Sequence, residues 1–203
     1  MPERTAGMMV RDWRQDLPIL TSGLVALREP TPHDLGALVA VLSTADASRF
    51  GLDEPVTEES VQAFVEHAQH DRAIGKALTY AIELTATRAV VGLVQVRQLD
   101  PTFEAAEWEM TLLRTVRGTG VFLDAARLVG SFVFSTLATY RLEARVLLQS
   151  GRANGALRKL GAVQEGVLRR SVRRGGEYLD QVLWSVLKDD WGDQWVSTAS
   201  RVH

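Results

Sequence analysis

Residues 107–134 contain, in close succession, a strand of alternating polar and apolar side chains, a glycine-containing turn and a long apolar helix. Glu107–Leu113 alternates polar and apolar side chains, which is typical of a half-buried strand. The Arg117–Gly120 turn follows, and from Val121 onward apolar side chains recur at helical spacing. A helix that begins directly after a glycine turn offers backbone N–H groups without partners and the positive end of its dipole. The unit therefore predicts a site for a phosphate-bearing ligand.

The composition limits the classes of protein to which this chain can belong. The 203 residues are 46% hydrophobic and 24% charged, which favours one globular domain. A net charge of −2 gives no reason to expect nucleic acid or an anionic membrane as a partner, and the absence of cysteine excludes disulfides and thiolate chemistry. Met1–Leu20 carries charge throughout, unlike a secretory signal, and no apolar run approaches the length of a membrane span. We expect a cytoplasmic protein.

Periodicity and turn residues predict an alternation of strands and helices. Thr31-Pro32-His33-Asp34 is a strong helix start, with a Thr cap, Pro at the first helical position and an acid in the first turn. Helices are expected from Thr31, Thr57, Val121 and Ala153. The predicted strands are 24–28, 79–84, 89–96, 107–113, 141–148, 163–170 and 178–187. We expect strand 141–148 to lie parallel to strand 107–113, because a helix connects them.

The expected domain organisation is a loosely attached arm over residues 1–20, a single domain over 21–192 and a tail over 193–203. Trp13, Leu17 and Ile19 are apolar residues within the arm, where they can pack on the domain or on a second copy of the chain. A homodimer is therefore one arrangement that the sequence suggests.

Five segments in the same order resemble one family. Residues 27–35 resemble an opening "LR.pt..Dl", 106–110 an "AEIGY" segment, 153–162 an "SNaLarKlGF" helix, 165–169 an "EG.lR" strand and 180–191 a closing "D.v.ysll..eW". Together with the Arg117–Gly120 turn, they resemble the GNAT superfamily of acyl-CoA-dependent N-acyltransferases. Within it they are most similar to the RimJ/RimL-like branch of ribosomal-protein N-terminal acetyltransferases.

The resemblance implies an α/β fold with a mixed, mostly antiparallel sheet of about seven strands, a central splayed parallel pair and helices on both faces. It also implies acetyl-CoA as co-substrate and direct transfer of the acetyl group to a primary amine, either a protein N-terminus or a small molecule. The acceptor pocket would be built from the first two helices and the last hairpin. The implied contacts are the backbone groups of Leu112, Leu113 and Arg114 for the pantetheine arm, the N–H groups of Arg117, Gly118, Thr119, Gly120 and Val121 for the pyrophosphate, and Asn154 and Arg158 on the following helix.

Transfer to an amine needs a group that accepts the amine proton and a group that protonates the leaving thiolate. Glu107 and Glu109 lie on the same face of the central strand and are the candidate bases, with Glu107 favoured because it matches the family's glutamate. The alternative is that both face solvent or pair with arginines. Ser150 is the candidate acid; alternatively, it caps the next helix.

Departures from the family pattern leave a second function open. Phe122 stands at the last small-residue position of the phosphate motif, and we expect its ring to point into the core with Ala125, Ala126 and Val129. The competing function is a degenerate member that binds CoA or a protein partner without turnover. A dinucleotide-binding module is less well supported because the turn lacks a further glycine. No metal site is predicted, although His67 and His70 lie three apart on a helix.

Overall fold

The computed structural model describes residues 12–44, 50–52 and 55–191, which form one mixed sheet with helices on both faces. The strands are β1 (Leu20–Thr21), β2 (Val25–Arg28), β3 (Ala77–Leu84), β4 (Val90–Gln98), β5 (Ala105–Leu112), β6 (Arg141–Leu147), β7 (Val163–Arg174) and β8 (Glu177–Leu187). The helices are α1 (Leu35–Ser43), α2 (Glu58–Ala73), α3 (Val121–Thr136) and α4 (Gly151–Lys159). The sheet order is β1-β2-β3-β4-β5-β6-β8-β7, and β5 and β6 are its parallel neighbours. The expected fold class is confirmed.

The sheet separates two apolar cores. Side chains alternate between the faces of each strand, so Trp108 of β5 packs with α3 and α4 while Leu93 of β4 packs with α1 and α2. The core on the α3 and α4 face includes Tyr80, Val94, Val96, Val129, Val133, Leu157 and Trp184. The core on the α1 and α2 face includes Leu38, Val41, Phe64, Val65 and Ala81. Consequently, Glu107, Glu109 and Thr111 of β5 face the α1 and α2 side.

The parallel pair β5 and β6 separates along its length. Backbone pairing joins Ala105 to Arg141, Ala106 to Leu142 and Glu107 to Glu143. Beyond Glu107 and Glu143, β5 continues to Leu112 and β6 continues to Leu147 without further pairs between them. The sheet is thus split between its two central strands, and α3 begins just past the open end of the split.

The described part of the N-terminal arm packs on its own domain. Trp13 and Leu17 are buried in the core on the α3 face, and the Trp13 ring contacts the Phe103 ring edge-on at 5.7 Å. Tyr80 donates a hydrogen bond to the Pro18 carbonyl at 3.1 Å, whereas Ile19 is 66% exposed. Of the three apolar residues of the arm, Trp13 and Leu17 therefore pack on the domain, while Ile19 does not. Residues 1–11 and 193–203 lie outside the described residues.

Most predicted elements are present with shifted ends. The Thr31 start is confirmed, although a 3-10 turn over Pro32–Asp34 precedes α1. Helix α4 begins at Gly151 rather than Ala153. Strand β1 was not predicted, because two residues are too few to show a period. None of the helices in the described part of the chain has the length and apolar character to cross a bilayer.

Candidate active site

The split opens a cleft of about 840 Å³ that passes through the sheet. Its walls include Trp108, Met110 and Phe122 from the α3 face, Glu109 and Thr111 from the opposite face, and residues of β6 and α4. Thr44 and Phe50 close it on the α1 and α2 side, together with Val172, Arg174 and Gln181 of the β7–β8 hairpin. Because residues from both faces of the sheet line this cleft, it can hold an extended ligand on one face and a second reactant on the other.

The glycine turn lies at the open end of this cleft. Gly118 and Gly120 adopt φ values of 88° and 95°, a left-handed conformation that favours glycine. Asp124 is the first α3 residue whose N–H donates to the helix backbone, to the Gly120 carbonyl at 3.0 Å. The earlier N–H groups of α3 therefore lack helical partners, as at any helix start. The predicted phosphate-binding geometry, glycine turn followed by a helix N-terminus, is present.

Positively charged side chains line the same cleft as the turn. Arg114, Arg117, Arg152 and Lys159 all line the cleft. Burial, with the positive charges of Arg114 and Arg152, lowers the pKa of the Arg117 guanidinium. Like charges held together in this way are relieved by an anion, so the open end of the cleft suits a phosphate in a protein whose net charge is −2.

The backbone edge that faces the split lies slightly earlier in β5 than expected. Leu113 donates its N–H to the Val91 carbonyl at 2.8 Å, and the Leu112 carbonyl accepts bonds from Arg117 at 2.9 and 3.1 Å. These two groups are therefore engaged within the protein. Because alternate residues of an antiparallel strand face each neighbour, pairing of Leu113 with β4 turns the backbone groups of Trp108 and Met110 toward the split. The Leu112 N–H faces the split by the same alternation, so the expectation of an open edge is corrected for Leu113 and for the Leu112 carbonyl only.

Two residues expected to contact the cofactor have other partners. Asn154 donates from Nδ2 to the carbonyls of Leu147, Leu148 and Ser150, and its Oδ1 accepts from Trp184 Nε1 at 2.9 Å. Asn154 thus holds the end of β6 against the start of α4, and all of its side-chain groups are used there. The Arg158 guanidinium lies over the Trp184 ring at 5.7 Å.

Several predicted contacts do not line the cleft with their side chains. Five of the predicted contacts line the cleft: Leu112, Arg114, Arg117, Gly118 and Gly120. Five others do not line it: Leu113, Thr119, Val121, Asn154 and Arg158. Val121 is buried in the core, and the Thr119 hydroxyl donates to the Val116 carbonyl at 2.7 Å.

Two further residues of the cleft, Arg152 and Lys159 on α4, are not among those predicted from the sequence. These residues lie seven apart, two helical turns, on the same face as Ala156, and all three line the cleft. Arg158, one residue away, points elsewhere. The helical spacing of Arg152, Ala156 and Lys159 could have identified this face, since small residues between cations allow close approach to an anion.

The two candidate bases have different surroundings. Glu107 is buried and accepts a hydrogen bond from Arg97 at 2.7 Å, with Arg145 Nε at 3.8 Å. Glu109 is half-buried and lines the cleft, where Glu107 does not. Pairing with an arginine, the alternative considered from sequence, holds for Glu107. Glu109 is the carboxylate in contact with the cleft.

Ser150 precedes α4 at the edge of the same cleft. Its side chain makes no capping hydrogen bond to α4, although its carbonyl accepts from Asn154. Ser150 lines the cleft together with residues of the β5 wall. The capping alternative is therefore not met.

Phe122 occupies an intermediate position. Its ring lies 6.1 Å from the Trp108 ring and packs against the core on the α3 face, as expected. The same ring is only half-buried and forms part of the cleft wall. Ala125, Ala126 and Val129 are fully buried, which confirms the predicted sheet-facing side of α3.

The sequence matches a known family and known proteins. The acetyltransferase (GNAT) domain matches residues 25–163. The uncharacterized N-acetyltransferase YoaA of Bacillus subtilis is 27% identical over 84% of this chain and 97% of its own length. Spermidine N(1)-acetyltransferase of Escherichia coli is 24% identical over 82% of this chain and 88% of its own length.

Solved structures agree on the fold. RimJ of Mycobacterium smegmatis, in complex with CoA-disulfide, superposes with a TM-score of 0.73 at 20% identity, covering 90% of this chain and 93% of its own. The predicted fold, the acetyltransferase activity and acetyl-CoA as co-substrate are confirmed at the level of the family. Because the matched domain spans more than half of its length, the chain belongs to the GNAT family of acetyl-CoA-dependent acetyltransferases.

Proposed function

We propose that the chain transfers the acetyl group of acetyl-CoA to a primary amine, with Glu109 as the base and Ser150 as the acid. The observation that carries this assignment is that Glu109 and Ser150 line one cleft from the two sides of the split. The turn and its arginines would hold the pyrophosphate at the open end. The pantetheine arm would then run along Trp108 and Met110 toward the closed end, beside Glu109.

The chemistry balances with these two residues. The amine nitrogen attacks the thioester carbonyl and forms the C–N bond, while its proton passes to Glu109 directly or through water. The C–S bond breaks, and the CoA thiolate takes a proton from Ser150, whose hydroxyl is restored when the proton held by Glu109 returns to it through water. Holding both reactants in one cleft makes the attack effectively intramolecular, which itself lowers the barrier. The products are an N-acetyl amide and CoA.

Glu107 has a positioning role in this proposal. Its bond to Arg97 ties β4 to β5 at the closed end of the split, next to the residue pair where β5 and β6 separate. Glu109 lines the cleft, where Glu107 does not, and it is therefore the proposed base, although the family match favours Glu107.

Single variants separate these roles. Acetyl transfer to spermidine and to a peptide with a free N-terminal serine is measured by thiol release, with acetyl-CoA affinity measured by calorimetry. Glu109→Gln should lower kcat by about 10²–10⁴, the usual contribution of a general base, with acetyl-CoA affinity retained. Ser150→Ala should also lower kcat, and Glu107→Gln should lower it less while reducing stability.

The binding-only alternative makes a different prediction. A protein that binds acetyl-CoA but shows the same slow thiol release in wild type, Glu109→Gln and Ser150→Ala would contradict the proposed acid and base. Full turnover in both variants would mean that the enzyme acts by positioning the two reactants, without Glu109 as a base or Ser150 as an acid. The lining of one cleft by both groups supports turnover over binding alone.

A further inference from the structure

The two halves of the sheet differ in how they are covered on the α1 and α2 face. The apolar core on this face draws its strand residues from β3 and β4, and none from β6, β7 or β8, among the residues that the structure describes. Helices α1 and α2 thus pack over the strands on one side of the split. On the other side of the split, the same face of β6, β8 and β7 lies outside that core.

Strand register places five apolar side chains on this uncovered face. Glu107 pairs with Glu143, so residues 143, 145 and 147 of β6 point to the α1 and α2 side. Across the antiparallel pairs, residue 183 lies beside residue 145, residues 147, 181 and 168 lie side by side, and residue 179 lies beside residue 172. The apolar members of this set, here called the open face, are Leu147, Leu168, Val172, Leu179 and Leu183.

The open face is apolar where a solvated sheet is normally polar. In an antiparallel sheet with one buried face, side chains alternate between apolar inside and polar outside. The opposite side of β8 already supplies Val182, Trp184 and Val186 to the core, yet Leu179 and Leu183 are apolar as well. All five side chains of the open face are half-buried, so part of each stays accessible. A group of accessible apolar side chains of this kind is typical of a binding surface.

The open face continues into the cleft. Leu147 and Val172 line the cleft together with Glu109. From there the face extends over about 10 Å across the three strands and about 13 Å along them, given the usual spacing of strands and residues. A ligand whose amine lies beside Glu109 would therefore place the rest of its length on these side chains.

The charged side chains at the edge of the open face are engaged within the protein. Arg145 lies 3.8 Å from Glu107 and 3.9 Å from Glu143, so two carboxylates already compensate its charge. Arg174 also interacts within the protein. The face therefore offers a ligand apolar contact rather than an uncompensated charge.

A hydrocarbon suits this surface better than a peptide does. The backbone groups of β8 pair with β6 on one side and with β7 on the other. Gln181, the polar residue between Leu147 and Leu168, accepts a hydrogen bond from the Ser171 hydroxyl at 2.9 Å. A peptide laid on the open face would have to remove its amide groups from water there, which is costly, whereas a hydrocarbon chain has no such groups.

We infer that the preferred acceptor is a primary amine carried by an apolar alkyl chain, and that the chain lies on the open face. Glu109 would accept the amine proton at the inner end of this face. The inference rests on the proposed function, because it takes Glu109 as the base and the α1 and α2 side of the split as the acceptor side. It disfavours polyamines and polar peptides as acceptors.

Matched amines test the inference. Hexylamine is longer than butylamine by two methylene groups, and it has the same chain length as cadaverine, which ends in an ammonium group instead of a methyl group. Hexylamine should have a kcat/KM about fourfold above that of butylamine, about twofold per methylene, because the open face covers one side of the chain. It should exceed cadaverine by about tenfold or more per amino group, because the terminal charge would have to lie on leucine side chains.

Variants locate the effect on the open face. Val172→Thr replaces a methyl group by a hydroxyl at nearly constant shape and should lower kcat/KM for hexylamine by about two- to fivefold, with a smaller change for butylamine. Leu183→Gln should remove most of the difference between the two amines. Val167→Thr is the matched control, because Val167 pairs with the core residue Val182 and so lies on the opposite face of β7. It should leave both rates unchanged, and acetyl-CoA affinity should stay at the wild-type value in all three variants.

Other outcomes would overturn the inference. Equal kcat/KM for butylamine and hexylamine, or variants with the wild-type ratio, would contradict binding of the chain to the open face. Cadaverine, spermidine or the serine peptide as the best acceptor would also overturn it while leaving the proposed acetyl transfer intact. A dimer that dissociates in Leu183→Gln, detected by sedimentation equilibrium, would show that a second copy of the chain covers this face instead.

The co-substrate separates failure of this inference from failure of the proposed function. Binding of acetyl-CoA with acetylation of none of these amines would contradict the inference and leave the co-substrate site intact. Failure of the wild type to bind acetyl-CoA would instead contradict the proposed function, and this inference with it.

Discussion

Glu107 on β5 lies beside Glu143 on β6, and this is the last residue pair that the two parallel strands share before they separate. Adjacent like charges on neighbouring strands are destabilising. Each carboxylate is compensated by its own arginine, Arg97 for Glu107 and Arg141 for Glu143. The closed end of the split is therefore stabilised by two ion pairs, one between β5 and Arg97 of β4 and one with Arg141 within β6.

Arg97→Gln tests this compensation. The variant leaves the buried Glu107 carboxylate with only the longer contact to Arg145, so the free energy of unfolding should fall by about 1 kcal/mol, a value kept low because Arg97 is 47% exposed. Urea denaturation at pH 7 measures the change. The double variant with Glu107→Gln should recover part of the loss; an additive double variant would show that the two residues are not coupled.

Gly120→Glu should abolish acetyl-CoA binding. The substitution adds negative charge at the helix start, where phosphate is expected, and forces a side chain onto a φ of 95°. Gly120→Asn is the matched control, because asparagine tolerates the left-handed conformation and adds no charge. It should keep most of the affinity measured by calorimetry. Wild-type affinity in the glutamate variant would mean that the phosphate site lies elsewhere.

Gly92→Ala should weaken both stability and co-substrate binding. A Cβ at Gly92 would lie 2.4 Å from Leu112 Cδ2 and 2.7 Å from the Thr111 carbonyl, so the end of β5 must move. We expect a loss of about 1–3 kcal/mol of unfolding free energy and a raised KM for acetyl-CoA. Gly36→Ala in α1, where a Cβ meets no atom within 4 Å, should be neutral or stabilising. Equal behaviour of the two variants would contradict the close approach.

The sequence predicts the frame of this site well. Alternation in β5, the glycine turn and the helical spacing of Ala125, Ala126 and Val129 are local patterns, and the structure contains all three. The Thr31 helix start is also local, and it is present with Asp34 accepting from the Thr31 N–H at 2.8 Å.

The sequence does not predict which backbone and side-chain groups of these elements are available to a ligand. Whether Leu113 presents its N–H to the split depends on its partner Val91 in β4, twenty-two residues earlier. The choice between Glu107 and Glu109 depends on Arg97, which lies on a neighbouring strand. Asn154 matches a family position, yet Trp184 and the end of β6 occupy its amide. Each of these outcomes is decided by strand register, which single-strand patterns do not contain.

The Arg141–Glu165 pair should make stability depend on acid pH. Bonds from Arg141 and Ser185 lower the pKa of Glu165 from its ordinary 4.5 to about 2. A lowered folded-state pKa stabilises the protein above pH 4.5, and the stabilisation is lost as pH falls toward 2. Because the Glu165 side chain is 36% exposed, we expect less than about 1 kcal/mol at pH 7.

Denaturation of wild type and Glu165→Gln at pH 7 and at acid pH measures this contribution. The wild type should be the more stable at pH 7, and the difference should shrink as pH falls through the 4.5-to-2 window. Glu177→Gln on β8 removes the same charge from an exposed position and serves as the control. A difference that is constant with pH would contradict the role of the ion pair.

Phe122→Ala tests whether the one bulky residue of the phosphate motif supports the cleft or blocks it. The ring packs on Trp108 at 6.1 Å and forms part of the cleft wall while only half-buried. Its removal should therefore cost about 1–2 kcal/mol, less than the roughly 3–5 kcal/mol for a fully buried phenylalanine. Acetyl-CoA affinity should fall about two- to fivefold, because apolar wall is lost.

Phe134→Ala is the matched control on the same helix. Phe134 is buried against Trp191 at 5.4 Å and lies outside the cleft, so this variant should lose more stability than Phe122→Ala while binding acetyl-CoA as the wild type does. Thermal denaturation and calorimetry on both variants give the comparison. If Phe122→Ala instead bound acetyl-CoA far more tightly at an unchanged Tm, the ring would occupy the place of the co-substrate, and the chain would be a binding protein derived from an enzyme.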